Sequence, residues 1–241
     1  MRYAVLVVLP ACAFSAHDQP RDDAPHLDAA SHDASGAGDT PLDGPPPFCD
    51  PNDPTLVACY TFEDTTTDGT AHHLDAAMTN VTFVAGKVGM AAVASTQTQM
   101  TVAQNALIDP ANLTVEAWIN APTPALGARA GIIDNEGAWG LFLHEQGELQ
   151  CITATNVPAN VPASTWTHVA CTDDGTSRKL YVNGTLISTE AVAGPLAGGT
   201  QGMALGANSP SGNQLAGDID QLRVFSVART DAQIAADMIQ R

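Results

Sequence analysis

From Phe48 onward the chain alternates short apolar runs with clusters of Gly, Asn, Asp and Pro. Runs of that length, each bounded by turn residues, predict strands and not helices. The clearest case is residues 165–190, TWTHVACTDDGTSRKLYVNGTLISTE. Asn183-Gly184 between alternating residues signals a two-residue hairpin turn, because a type I′ turn needs positive φ at both central positions. A second turn falls at Asp173-Asp174-Gly175, so the stretch predicts three antiparallel strands, with Leu180 and Val182 on one face and Lys179 and Tyr181 on the other. Further strands are expected at Leu56–Phe62, Val81–Val84, Met90–Ala94, Met100–Ala103, Leu113–Asn120, Gly131–Asp134, Trp139–His144, Glu148–Thr153, Met203–Gly206 and Gly217–Phe225. Many short strands at even spacing make a sandwich or a barrel.

The two ends depart from this pattern. Thr230 with Gln233 three residues on makes a capping box, and Ile234, Met238 and Ile239 form an apolar stripe behind it, which predicts one short C-terminal helix. Residues 1–12, MRYAVLVVLPAC, have the layout of an export signal and are too short for a membrane span, which takes about 20 apolar residues. Leu9-Pro10-Ala11-Cys12 resembles the lipobox of bacterial lipoproteins, which implies lipidation at Cys12; plain secretion is the alternative. Residues 13–47 carry seven Asp, six Pro and three His with almost no large apolar side chain. Too little surface is available there to offset the entropy of ordering, so a disordered acidic tether is expected, with His17, His26 and His32 at most a loose metal site. The folded domain is then 48–241.

Charge and cysteines narrow the partners. A formal charge of −17, from 26 acidic and 9 basic side chains, repels nucleic acid and anionic membrane surfaces. Membrane contact is expected through the lipid alone. Four of the five cysteines lie in the folded part, and sequence distance favours Cys49 with Cys59 and Cys151 with Cys171. An even count behind an export signal implies an oxidising compartment, the bacterial envelope.

Four stretches in order, LVACYTFE, LTVEAWINAP, TWTHVACTDDGTSRKLYVNG and GDIDQLRVFSVARTDAQI, resemble the laminin-G-like, concanavalin-A-like jelly-roll domains of bacterial surface proteins. The resemblance covers about residues 54–240. It implies an all-β sandwich of two antiparallel sheets, and a module that binds a glycan or protein surface, often with calcium at the rim. It also implies packing roles for Trp118, Trp166 and His168. Where the family commonly has DxSGNGxxG after the first strand, this chain has Asp68-Gly69-Thr70-Ala71-His72-His73.

Calcium takes six to eight oxygens, and Glu63, Asp68 and Asp220 are the candidate ligands, since first and last strands of a jelly roll are commonly neighbours. Sugars stack on exposed rings, and Trp139, beside Glu136-Gly137, and Tyr181 are the candidate platform. Hydrolysis of glycosides needs a pair of opposed carboxyls. The spacings of Asp134, Glu136, Glu145, Glu148, Asp218 and Asp220 do not match the one-strand pattern of enzymes of this broad fold. The expectation is therefore a non-catalytic, envelope-anchored binding module, with a purely structural lipoprotein as the alternative and a glycan-active enzyme behind both.

Overall fold

In the computed structural model, residues 46–240 are described except 125–127, 153–155 and 209–211. The readings made on residues 1–12, on Cys12 and on the linker up to residue 45 lie outside the described residues. Among the described residues fifteen strands are divided between two sheets. They are β1 (Leu56–Tyr60), β2 (Ala77–Thr79), β3 (Phe83–Ala85), β4 (Met90–Ala94), β5 (Gln99–Val102), β6 (Leu113–Asn120), β7 (Arg129–Asn135) and β8 (Trp139–His144). They continue with β9 (Glu148–Cys151), β10 (Val157–Pro158), β11 (Thr167–Asp173), β12 (Ser177–Val182), β13 (Thr185–Ala191), β14 (Met203–Leu205) and β15 (Gly217–Phe225), and the helix α1 (Asp231–Asp237) closes the domain. The first sheet runs β13-β12-β11-β6-β15-β4-β3 with β1 also on β15, and the second runs β10-β9-β8-β7-β14-β5-β2. Among the described residues these strands pair antiparallel with one another, and the first and last strands are neighbours as expected.

Alternation decides which side chains meet between the sheets. On β6, Leu113, Val115, Ala117 and Ile119 enter the core, which leaves Thr114, Glu116, Trp118 and Asn120 on the outer face. On β15 a bulge between Asp220 and Arg223, with Gln221 at φ 49°, resets the alternation. Ile219 and Leu222 can then both face the core, and Arg223 and Phe225 are turned out. The Asn183-Gly184 hairpin forms as predicted, at φ 47° and 70°, and the Asn183 carboxamide accepts from the His168 backbone N–H at 3.0 Å. The exposed β2 and the two-residue β10 escape sequence reading, since neither has an apolar pattern of useful length.

Both cysteine pairs are bridged, Cys49 to Cys59 and Cys151 to Cys171. The second joins β9 of one sheet to β11 of the other, so it staples the sandwich across its core and does not tie neighbouring strands of one sheet. The α1 capping box is complete: Thr230 Oγ1 accepts from the Gln233 N–H, and the Gln233 side chain accepts from the Thr230 N–H. Ile234 packs on Ala170 and Tyr181, whereas Ile239 is 72% exposed and leaves the predicted stripe. Pro46 and Pro47, read by composition as linker, are already tied to the domain, because both carbonyls accept from the Gln240 carboxamide.

Candidate functional site

The outer face of the second sheet carries a row of polar side chains. Core positions Leu141 and Leu143 on β8 and Leu149 and Cys151 on β9 put Phe142, His144, Glu148 and Gln150 outside. Cross-strand register sets Phe142 opposite Gln150 and Arg129 opposite His144. The Arg129 guanidinium stacks 4.3 Å from the centre of the Phe142 ring and donates to the Asn208 carboxamide at 2.5 Å. Phe142 in turn lies over Gly140, where a Cβ would stand 2.5 Å from the ring, so only glycine fits beneath it.

A chain of hydrogen bonds orients the imidazole. The Asn156 amide nitrogen approaches His144 Nδ1 at 3.1 Å, and His144 Nε2 approaches Gln150 Oε1 at 3.0 Å. An amide nitrogen only donates, so Nδ1 accepts and the proton sits on Nε2, which donates to Gln150. Asn156 also donates to Glu148 at 3.4 Å. Beside this row a depression of about 220 Å3 is lined by Arg129, Asp134, Glu136, Gly140 and Phe142. Planar amide, imidazole, guanidinium and carboxylate groups in one row, over a buried ring that offers no face of its own, can bind a ligand that bears hydroxyls at several adjacent positions. None of these groups was singled out as a ligand contact by sequence reading. The usable signal was the alternation of Phe142 and His144 against Leu141 and Leu143.

The predicted platform is corrected. Trp139 is 2% exposed, packs in the main core and donates its indole N–H to the Ile108 carbonyl at 2.8 Å. It shares parity with Leu141 and Leu143, which places it inside. Tyr181 does lie on the outer face of its sheet, but α1 covers it, and its hydroxyl donates to Asp231 at 2.8 Å. Neither ring offers a face to a sugar. Trp118, expected to pack inside, is instead the half-exposed ring on the outer face of the first sheet.

The three candidate calcium ligands separate. Asp68 is buried and accepts from the backbone N–H groups of Cys59, Thr70 and Leu74 and from the Thr70 hydroxyl, so its oxygens are spent on the loop after β1. Glu63 and Asp220 meet at another place, the β3–β4 turn. Asp220 Oδ2 accepts from the Val88 N–H at 2.9 Å, and Glu63 Oε2 accepts from the Met90 N–H at 3.1 Å. Gly89, at φ 58°, allows this, since a Cβ there would collide with the Glu63 carboxylate. Burial pushes the Asp220 carboxyl up to about 6, although amides of the turn and of Gln221 oppose the shift. Among the described residues no three His, Cys, Asp or Glu side chains gather as a metal-binding group, so these three do not fit one calcium site.

A larger depression, about 580 Å3, opens beside Phe48, Leu56, Arg223, Phe225 and Arg229. Its cations are spent. Arg223 bonds to Glu116, to the Phe48 carbonyl and to Gln240, and Arg229 bonds to Asp237. Burial pushes the Glu116 carboxyl up, but the His168 hydrogen bond and the Arg223 charge outweigh it and hold it below its ordinary value. Asp237 is raised, by burial and by the Glu116 charge. This is a structural joint where both ends of the domain are tied, and the polar row is the better site.

Comparison with known proteins places the architecture. No curated protein matches the sequence. Domain 4 of AbnA, a GH43 extracellular arabinanase from Geobacillus stearothermophilus solved in complex with arabinotriose, is similar in fold. Its TM-score is 0.63 at 22% identity, over 76% of this chain and 98% of that one. The binding domain of Paraclostridial Mosquitocidal Protein 1 gives 0.61 at 17% identity, over 76% of this chain. The binding domain of botulinum neurotoxin DC in complex with SialylT gives 0.54 at 16% identity, over 77%. The chain spans about half of the two toxin structures, 52% and 51%. Residues 94–235, more than half of the 241, match the concanavalin A-like lectin/glucanases superfamily through its laminin G type. With two antiparallel sheets and that match, the chain belongs to the concanavalin A-like lectin/glucanases superfamily.

Proposed function

We propose that this protein is a non-catalytic glycan-binding module displayed at the bacterial cell envelope, and that the outer face of the β7–β8–β9 sheet holds the sugar. The observation that carries the reading is the Asn156–His144–Gln150 hydrogen-bond chain beside Arg129 and Phe142. Such a row presents donors and acceptors in a fixed order at little entropic cost, because each side chain is already oriented by its neighbour. Fold relatives with arabinotriose or SialylT bound support the ligand class. Anchoring is assigned to a lipid on Cys12, with residues 13–45 as the tether and secretion as the alternative.

The test is an oligosaccharide array that includes arabinotriose and sialylated glycans, probed with the full chain. Retention on at least one glycan is expected, and it should be lost in a His144→Ala/Gln150→Ala variant of unchanged melting temperature. No retained glycan, or retention indifferent to that variant, overturns the reading. For the anchor, Cys12→Ser should move the protein from the membrane fraction to the soluble one.

A further inference from the structure

The Lys87 ammonium stands 4.0 Å from the centre of the Trp118 ring, and among the described residues Lys87 enters no ion pair with a carboxylate. In a chain of net charge −17 an exposed lysine has many carboxylates available. This one rests on an aromatic face instead, because the β3–β4 turn that carries it is held in place by Asp220 and Glu63 through the Val88 and Met90 N–H groups. Trp118 is itself braced on its other side by His168, edge-on at 5.5 Å between centroids.

Acceptors share the outer face with the ring. Register places Asp220 directly opposite Trp118 and Asp218 opposite Asn120 on the same outer face. Oδ1 of Asp220, on a fully buried side chain, has no hydrogen-bond partner, and neither has Oδ1 of Asn120, whose amide nitrogen donates to Asp218 at 3.1 Å. Next along the face, a cleft of about 480 Å3 is lined by Ser95, Asn120, Pro122, Ser164 and Asp218. An aromatic face that shares its sheet surface with carboxylate and carbonyl oxygens on neighbouring register positions attracts a cation through the ring quadrupole and through charge together. The residue observed there is a primary ammonium, which shows that the geometry accepts one.

We propose that Trp118, Asn120, Asp218 and Asp220 form a recognition site for an alkylammonium group, the lysine side chain of a basic peptide, and that Lys87 occupies this site in cis until the peptide displaces it. The turn backbone need not move for the exchange, since the lysine stem is exposed and rotates about its own bonds. The site lies on the sheet opposite the glycan row, so either reading can fail alone.

The experiment is calorimetric titration of the full chain with tetralysine, with acetylated tetralysine and with glucosamine, in the wild type, Lys87→Ala, Trp118→Ala and Trp118→Phe. Circular dichroism melts establish that each variant is folded. Lys87→Ala is expected to bind tetralysine about two- to fivefold tighter, the change that an exposed cation–π contact corresponds to, because the internal competitor is gone. Trp118→Ala should lose that gain and Trp118→Phe keep part of it, with acetylated tetralysine silent throughout. Equal binding by the wild type, Lys87→Ala and Trp118→Ala would mean attraction by net charge alone and overturns the site. Binding of glucosamine without tetralysine overturns the peptide source. If Trp118→Ala does not fold, Trp118→Phe and Lys87→Ala decide the matter between them.

Discussion

The Arg223 guanidinium lies 2.7 Å from the Glu116 carboxylate and 3.5 Å from that of Asp237, with all three side chains buried. Arg223 also stacks on Phe48 at 4.1 Å and donates to the Phe48 carbonyl at 3.1 Å, so one guanidinium joins β6, β15, the chain before β1 and the segment after α1. Glu116→Ala is expected to cost about 3–5 kcal/mol, since it removes the nearer carboxylate of a buried cation and leaves Asp237 alone to balance it. Urea denaturation checks it, and a change below about 1 kcal/mol would refute the joint.

The Cys151–Cys171 bridge closes a loop with a sequence separation of 20 between the two sheets. Chain-entropy reasoning gives a loss of about 3 kcal/mol for the Cys151→Ala/Cys171→Ala variant. The melting temperature should fall by several degrees, and more than in a Cys49→Ala/Cys59→Ala variant, whose separation is only 10.

Asp220 makes stability depend on pH in an unusual direction. Its folded value is raised by burial from 3.8 to about 6, so between these pH values the folded chain keeps a proton that the unfolded chain has released. Stability contributed by this group therefore falls as pH rises from about 4 to 6. Asp220→Asn keeps an acceptor for the Val88 N–H and removes the titration. The difference in stability between variant and wild type should grow in the variant's favour across that window, and a constant difference from pH 4 to 7 would contradict the assignment.

Calcium should leave the folded domain unmoved. The Asp68 oxygens are committed to three backbone N–H groups and a hydroxyl, while Glu63 and Asp220 hold the β3–β4 turn. Thermal melts with excess calcium and with chelator are expected to superimpose. A rise of several degrees with calcium would reinstate a metal site at the rim.

How far these sites were legible before the fold was known differs residue by residue. Trp139 belongs inside by its parity with Leu141 and Leu143, and the neighbouring Gly137 does not override that alternation. Tyr181 could not be placed in that way. It faces outward with Lys179, and only the packing of Ile234 and the Asp231 carboxylate against it hides the ring. Trp118 needed the converse information, since its exposure depends on which sheet face the helix leaves uncovered.

The sequence by itself determined the local structure: short strands from alternation, hairpins from Asn183-Gly184 and Asp174-Gly175, the capping box at Thr230, both cysteine pairs, and the family from four stretches in order. These follow from interactions among residues close in the chain, or from a pattern that side-chain period alone imposes. Only the tertiary structure decided that Cys151–Cys171 crosses between the sheets. It also set Glu63 and Asp220, far apart in sequence, on one turn while Asp68 went elsewhere, and it aligned Asn156, His144, Gln150 and Arg129 in one row. Those outcomes depend on strand register and on the β15 bulge at Gln221. One residue of shift there sends every side chain beyond it to the opposite face.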